Sequence, residues 1–197
     1  QTSAQFSADQ QGVLFEHIVS DIRFESKEAA MEIAVHPKSI LNFDIISLNA
    51  CAGKMLYQMD DFIGFFVKRD RNKCLWVDGF IYGESGASTV QELAFTLAHL
   101  NEYVHALRDR GVDLSTIQQC VVLQLSVNDN YFVNLAKFRA IRELTALLFS
   151  AYDASLTPEA PFIYAKNSAR FLAINDSNNN LLRQSTQAMS AILGGCD

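Results

Sequence analysis

Tyr82, Glu84 and Ser85 are the polar side chains best placed for chemistry, because they lie in a glycine-containing stretch directly after an apolar run. In α/β barrels, the loops that follow the strands carry the active site. The stretch "GFIYGESGAS" (residues 79–88) contains no histidine, lysine or cysteine. An acid, a base or a nucleophile is therefore hard to assemble there.

The histidines of the chain do not have the spacing of metal ligands, and no H-E-x-x-H pattern occurs. We interpret them as surface histidines, since the last two fall on or beside the polar face of a predicted helix. They are His17, His36, His99 and His105.

Other charged clusters also favour structural roles. Asp60 and Asp61 begin a predicted helix, where carboxylates complement the helix dipole. Lys137, Arg139 and Arg142 predict a basic face on a long helix, and a structural role is favoured there over anion binding.

Composition indicates one globular domain with a sizeable core, because 49% of the 197 residues are hydrophobic and 19% are charged. The net charge of −6 opposes binding to nucleic acid or anionic lipid. No apolar run approaches the roughly 20 residues that cross a bilayer. Cys51, Cys74, Cys120 and Cys196 form no C-x-x-C pair, which is typical of reduced thiols and predicts a cytoplasmic protein.

Hydrophobic periodicity predicts helices that alternate with short apolar strands. The predicted helices are Lys27–Val35, Asp60–Arg69, Thr89–Arg110, Asp129–Tyr152 and Asn178–Leu193. The predicted strands are Asp21–Ser26, Ser39–Ile46, Cys74–Tyr82, Cys120–Val127 and Pro161–Lys166. We expect the last helix to bury Leu181, Leu182, Ser185, Ala188, Met189 and Ile192.

This alternation predicts an α/β fold built from parallel β/α units. The sheet is either open and doubly wound or part of an eight-stranded barrel. Neither G-x-G-x-x-G nor G-x-x-x-x-G-K-[ST] occurs, so no phosphate-binding fingerprint favours the open sheet.

Three segments together resemble the substrate-binding barrel of methylmalonyl-CoA mutases. "DGFIYGESGASTVQELA" (residues 78–94) is similar to a family helix start of the form A-G-A-x-x-x-x-E-L-A, and "LAKFRAIREL" (135–144) to A-K-x-R-A-x-R. "DSNNNLLRQSTQAMSAILGG" (176–195) is similar to D-P-Y-N-N-x-x-R closing on A-x-x-x-G-G. "SILNFDII" (39–46) also resembles a family strand, S-I-N-Y-D-P-I-G.

The resemblance implies a partial TIM (β/α)8 barrel, with a site at the carboxyl ends of the strands. Catalytic chains of the family carry Tyr-His where this chain has Phe80 and Ile81. The family's substrate-contacting arginine and glutamine fall on Phe162 and Lys166. These four are expected to be degenerate active-site positions. An isoleucine cannot donate a hydrogen bond to the thioester oxygen, and such a loss commonly costs about 10²-fold or more in rate.

Residues 1–197 are expected to form a single, incomplete piece of such a barrel, since the chain opens on Gln1 and "GGCD" follows a helix directly. Apolar residues of one strand, Leu123, Leu125 and Val127 or their alternates, are then expected to meet water or another chain.

The family also includes pairs of chains in which a small, degenerate subunit supports a large catalytic one. We expect this chain to be such a small subunit, with no catalytic, cofactor or metal residues, and its partner to be the large subunit that holds adenosylcobalamin. The family's cobalt-ligating D-x-H-x-x-G motif does not occur here. The alternatives are an active acyl-CoA mutase with a different substrate and an unrelated α/β binding module.

Overall fold

The computed structural model describes residues 19–20, 40–68 and 74–197. The predicted strand Asp21–Ser26 and the predicted helix Lys27–Val35 lie outside the described residues.

The described strands are all parallel. β1 (Val19–Ser20) pairs with β2 (Ile40–Leu41). β3 (Leu75–Asp78), β4 (Val121–Val127) and β5 (Phe162–Asn167) form a three-stranded sheet in chain order. Parallel neighbours in chain order, each followed by a helix, confirm the predicted α/β class and have the organisation of a barrel arc.

The helices occupy the connections between these strands. They are α1 (Ile45–Ala52), α2 (Met59–Lys68), α3 (Phe80–Glu84), α4 (Thr89–Asp109), α5 (Leu114–Gln119), α6 (Tyr131–Tyr152) and α7 (Ser177–Gly194), with a 3₁₀ turn at Ala169–Phe171. Ser88 begins α4 with a capping box to Gln91. None of these helices is long and apolar enough to span a membrane.

Two strands are shorter than predicted, because a helix begins inside each predicted run. Asp44 caps α1 by accepting hydrogen bonds from the amides of Ile46 and Ser47, so the predicted strand Ser39–Ile46 ends at Leu41. The predicted strand Cys74–Tyr82 ends at Asp78, since α3 follows. Neither α1, α3 nor α5 was expected from the periodicity.

β4 lies at the centre of the sheet, and all seven of its residues are buried. Leu123, Leu125 and Val127 belong to a core cluster shared with Phe138 and Ile141 of α6. The expectation that this strand meets water is therefore wrong. β3 and β5 cover its two edges, and side chains from the helices cover the apolar face.

The buried face of α7 differs from the predicted one. All six residues that were expected to be buried are exposed, and Gln187, Ser190, Ala191 and Gly194 are buried instead. Small residues permit a close approach: a Cβ at Gly194 would lie 3.0 Å from Cβ of Phe138. The hydrophobic pattern of α7 therefore predicted the wrong buried face. The helix packs through its smaller side chains instead.

Candidate functional site

A pocket of about 190 Å³ opens where β3 and β5 reach their carboxyl ends. This is the end at which β/α barrels carry their sites. The pocket is lined by Asn42, Cys51, Asp78, Phe80, Ile81, Glu84, Ser85, Gln124 and Lys166.

Three of the four predicted degenerate positions meet in this pocket. Phe80 and Ile81 enter it from α3, and the Lys166 ammonium lies 4.6 Å from the centroid of the Phe80 ring. Phe162 is placed differently, because it begins β5 and packs with Trp76 and Val122 at the opposite end of the sheet. The expectation that Phe162 lies at the barrel mouth is therefore corrected by the strand direction.

Asp78 is one of two carboxylates in the pocket, with Glu84, and its Oδ1 atom is buried without a hydrogen-bond donor among the described residues. Burial and, second, the negative charge of Asp44 raise the pKa of Asp78 to about 6, although Lys166 opposes the shift. A carboxyl group with this pKa can exchange a proton near neutral pH. The sequence reasoning did not identify Asp78, even though it is the first residue of the first family-like segment.

Asp44 is the centre of a buried hydrogen-bond network beneath the pocket. Its Oδ1 accepts from the Tyr103 hydroxyl at 2.6 Å and lies 2.9 Å from Nε2 of His99. Its Oδ2 accepts from the backbone amide of Asp78 at 2.7 Å. The network thus joins the β2–α1 turn, the end of β3 and helix α4. The only sequence signal for it was the match of Asp44 to the aspartate of a family strand.

The prediction that His99 is a surface residue is wrong, because His99 is only 4% exposed. Its Nδ1 lies 3.2 Å from the Tyr82 hydroxyl, so both ring nitrogens have partners. His105, in contrast, is exposed beside Asp109, as predicted. The carboxylate that pairs with His99 belongs to Asp44, which lies in another element. Helical periodicity therefore could not identify the burial of His99.

The ionisation of this network follows from its packing. Burial raises the pKa of Asp44, but attraction to His99 and hydrogen bonds from His99 and Tyr103 outweigh burial and leave the pKa below its ordinary value. Burial and the charge of Asp44 raise the pKa of Tyr103 well above its ordinary value. Asp44 is therefore a carboxylate held in its ionised form by the hydrogen bonds around it.

Lys137 does not lie on a basic helix surface as predicted, because it is buried, but its role is structural, as expected. It is 1% exposed, and its ammonium lies 2.9 Å from Oε2 of Glu92. The Glu92 carboxylate also accepts hydrogen bonds from the Ser126 amide and hydroxyl at 2.7 and 2.9 Å. Burial lowers the pKa of Lys137, and Glu92 opposes that shift. This pair connects the first two family-like segments to β4.

The other family-like residues fix the two ends of helix α7. Arg142 donates to the carbonyl of Gly195 and lies 3.1 Å from Oδ2 of Asp197. Asp176 caps α7, and the Asn180 side chain accepts from the Ala173 amide and donates to the Ala173 carbonyl. The second and third family-like segments are therefore structural, whereas the first (residues 78–94) supplies five of the nine residues that line the pocket.

Comparisons with known proteins identify the same family as the sequence motifs. The family model for methylmalonyl-CoA mutase matches residues 51–197. The methylmalonyl-CoA mutase of Cereibacter sphaeroides is 35% identical over 124 residues, which cover 60% of this chain and 17% of that protein. The 2-hydroxyisobutanoyl-CoA mutase large subunit of Aquincola tertiaricarbonis is 31% identical over 121 residues, 60% of this chain and 22% of that protein.

A small-subunit relative aligns with almost the whole chain. The methylmalonyl-CoA mutase small subunit of Propionibacterium freudenreichii is 28% identical over 195 residues, which are 98% of this chain and 30% of that protein. The chain thus spans less than a third of the length of each of these relatives. From the extent of the family match and the motifs that the structure packs together, we conclude that this chain belongs to the methylmalonyl-CoA mutase family.

Proposed function

We propose that this chain forms part of a non-catalytic small subunit of an adenosylcobalamin-dependent methylmalonyl-CoA mutase. Its role is to pack against a large catalytic subunit that interconverts methylmalonyl-CoA and succinyl-CoA. The cofactor and its radical chemistry belong to the large subunit. The alignment of a small subunit with 98% of the chain supports this assignment.

The observation that carries the proposal is the side chain at position 81. Ile81 lines the pocket at the strand ends, where the family resemblance places the histidine that contacts the thioester oxygen. An isoleucine stabilises no developing negative charge. His99 does not replace the histidine, because Asp44 and Tyr82 occupy its two ring nitrogens.

The described residues do not fit the lower ligand of a cobalamin. His99 is buried and bonded at both nitrogens, and His105 lies on an exposed helix surface beside Asp109. The sequence has no D-x-H-x-x-G motif. The proposal places the complex in the cytoplasm, in keeping with four free cysteines.

A second candidate is an active acyl-CoA mutase with a different substrate. The pocket favours it to the extent that Asp78 and Lys166 supply charged groups near the replaced positions. The relative named as a 2-hydroxyisobutanoyl-CoA mutase large subunit indicates that acyl-CoA mutases of this family differ in substrate.

Reconstitution separates the two candidates. The full-length protein that contains this chain is purified alone and with a methylmalonyl-CoA mutase large subunit, and succinyl-CoA formation is measured with adenosylcobalamin present. We expect no turnover by the protein alone, and a stable one-to-one complex with the large subunit on size-exclusion chromatography. Turnover without the large subunit, on this or a related acyl-CoA, would favour the active-mutase candidate.

A further inference from the structure

The lining of the pocket is unusually rich in hydrogen-bond acceptors that have no donor. Asp78 Oδ1 and Glu84 Oε1 are both buried and unpartnered within the described chain. Leaving a buried carboxylate oxygen without a donor is destabilising, and more so when the group is charged. Two such atoms in one pocket indicate that something else donates to them.

A third polar group, the side-chain amide of Gln124, lies at the floor of the same pocket. Gln124 is 3% exposed on the central strand, and its side chain makes no hydrogen bond to the residues that the structure describes. Its neighbours Leu123 and Leu125 are fully buried, so the polar residue interrupts an otherwise apolar strand. A buried amide with free donor and acceptor atoms is typical of a ligand-binding position.

The charges of the lining define the class of ligand. Asp78 and Glu84 are acidic, whereas Lys166 is the one basic residue of the lining and contacts the Phe80 ring without an ion pair in the described chain. The lining therefore has one excess negative charge when all three groups are ionised. Phosphates and free carboxylates alone are disfavoured, whereas a cation with N–H donors is favoured.

We propose that this pocket binds a small molecule that carries a primary ammonium group, whose N–H donors are directed at Asp78 Oδ1 and Glu84 Oε1. The amide of Gln124 supplies a further acceptor. A volume of about 190 Å³ admits a short amine or a small α-amino acid but not a CoA thioester. The inference does not depend on the subunit assignment, because it uses only the lining of the pocket.

Isothermal titration of the full-length protein tests this with four probes at equal ionic strength: ethylammonium, L-alanine, ethanol and propionate. Ethylammonium and ethanol are similar in size, and so are alanine and propionate, so each pair differs chiefly in the ammonium group. We expect binding of at least one ammonium compound and at least tenfold weaker binding of its uncharged or anionic counterpart. Equal affinity within a pair would overturn the proposal, because the pocket would then hold only solvent or an unspecific solute.

Variants locate the binding to the pocket. Asp78→Asn and Glu84→Gln keep side-chain shape and remove the charge, and each is expected to weaken ammonium binding at least tenfold. Because Asp78 Oδ1 and Glu84 Oε1 accept no hydrogen bond within the described chain, an amide nitrogen in place of either atom breaks no hydrogen bond of the described fold. Asp109→Asn, on the exposed surface of α4, is the matched control and should leave the affinity unchanged. Unchanged binding by Asp78→Asn, with an unchanged circular dichroism spectrum, would place any ligand elsewhere and contradict the proposal.

The variant Lys166→Met distinguishes the two kinds of ligand that could carry the ammonium group, a simple amine and an α-amino acid. Loss of alanine binding with retention of ethylammonium binding identifies an amino acid whose carboxylate contacts Lys166. Tighter ethylammonium binding with no effect on alanine identifies a simple amine. Either result supports an ammonium site. If Asp78→Asn and Glu84→Gln both bind ethylammonium and alanine as tightly as the wild type does, the proposal is rejected.

Discussion

Asp44 accepts hydrogen bonds from three elements at once, and this makes it the residue on which the site depends most. Its partners are the amides of Ile46 and Ser47 in α1, the amide of Asp78 at the end of β3, and the side chains of Tyr103 and His99 on α4. A buried charge of this kind is tolerated only while its donors are in place. The lining of the pocket is therefore positioned by a residue that does not line it.

Replacing Asp44 with asparagine is expected to destabilise the protein by about 3–5 kcal/mol, because the change leaves buried donors without their charged acceptor. Urea unfolding followed by circular dichroism measures the loss. Asp109→Asn is the control, and it should change the free energy of unfolding by less than about 0.5 kcal/mol because the side chain is exposed. A loss below about 1 kcal/mol for Asp44→Asn would contradict the role of this network.

Replacing Asp78 with asparagine is expected to stabilise the protein, in contrast to the same change at Asp44. The folded pKa of Asp78, about 6, is above the unfolded value, so the folded state loses stability as the pH rises from about 4 through 6. At pH 8, Asp78→Asn should therefore raise the free energy of unfolding by about 2 kcal/mol, and at pH 4 the difference should vanish. Denaturation curves at the two pH values check this. If the difference in the free energy of unfolding were the same at both pH values, or larger at pH 4, ionised Asp78 would not be the source of the destabilisation.

At the scale of the elements, the packing of α4, α6 and α7 depends on pairs that are distant in sequence. Glu92 and Lys137 are 45 residues apart, and Asn134 and Ser190 are 56 residues apart. Local periodicity contains no information on such pairs, because each of these side chains is polar and the helical pattern assigns polar side chains to a solvated face. This is why Lys137 and His99 were assigned to the surface, although the helices that carry them were predicted within a few residues.

The buried pair of α4 and α6 gives a double-mutant prediction. Lys137→Met leaves the Glu92 charge buried and unpaired, and should cost about 3–5 kcal/mol. The double variant Glu92→Gln/Lys137→Met removes both charges, and should recover at least half of that loss. Urea unfolding measures the free energy of unfolding of the two variants. A double variant as unstable as Lys137→Met would show that the loss comes from packing and not from the unpaired carboxylate.

The contact between α6 and α7 is sensitive to a single methyl group. Gly194→Ala places a Cβ 3.0 Å from Cβ of Phe138 and 3.4 Å from Cα of Leu135. We expect a net loss of about 1–2 kcal/mol, because overpacking outweighs the better helix propensity of alanine. Ser185→Ala, exposed on the same helix, is the control. Thermal unfolding that places Gly194→Ala at or above the wild type would contradict the close-packing account of α7.

For the molecule as a whole, the alternation of apolar strands and helices was sufficient to predict a parallel α/β fold, and the family-like segments directed attention to the carboxyl ends of β3 and β5. Phe80, Ile81 and Lys166 do meet there. Asp78 and Gln124 were missed, because each lies within an apolar run whose burial hides a polar side chain. Phe162 was misplaced, because a motif count alone does not say at which end of a strand a residue lies.

The central claim is that catalysis belongs to the partner subunit and not to this chain. It is tested most directly by assembling the full-length protein with a large subunit whose own catalytic histidine has been replaced, and by measuring conversion of methylmalonyl-CoA to succinyl-CoA with saturating adenosylcobalamin. The same complex with an unaltered large subunit is the control. We predict no conversion above background in the inactivated complex and full activity in the control. Conversion by the inactivated complex would contradict the account, because the pocket lined by Phe80, Ile81 and Asp78 would then be an active site in its own right.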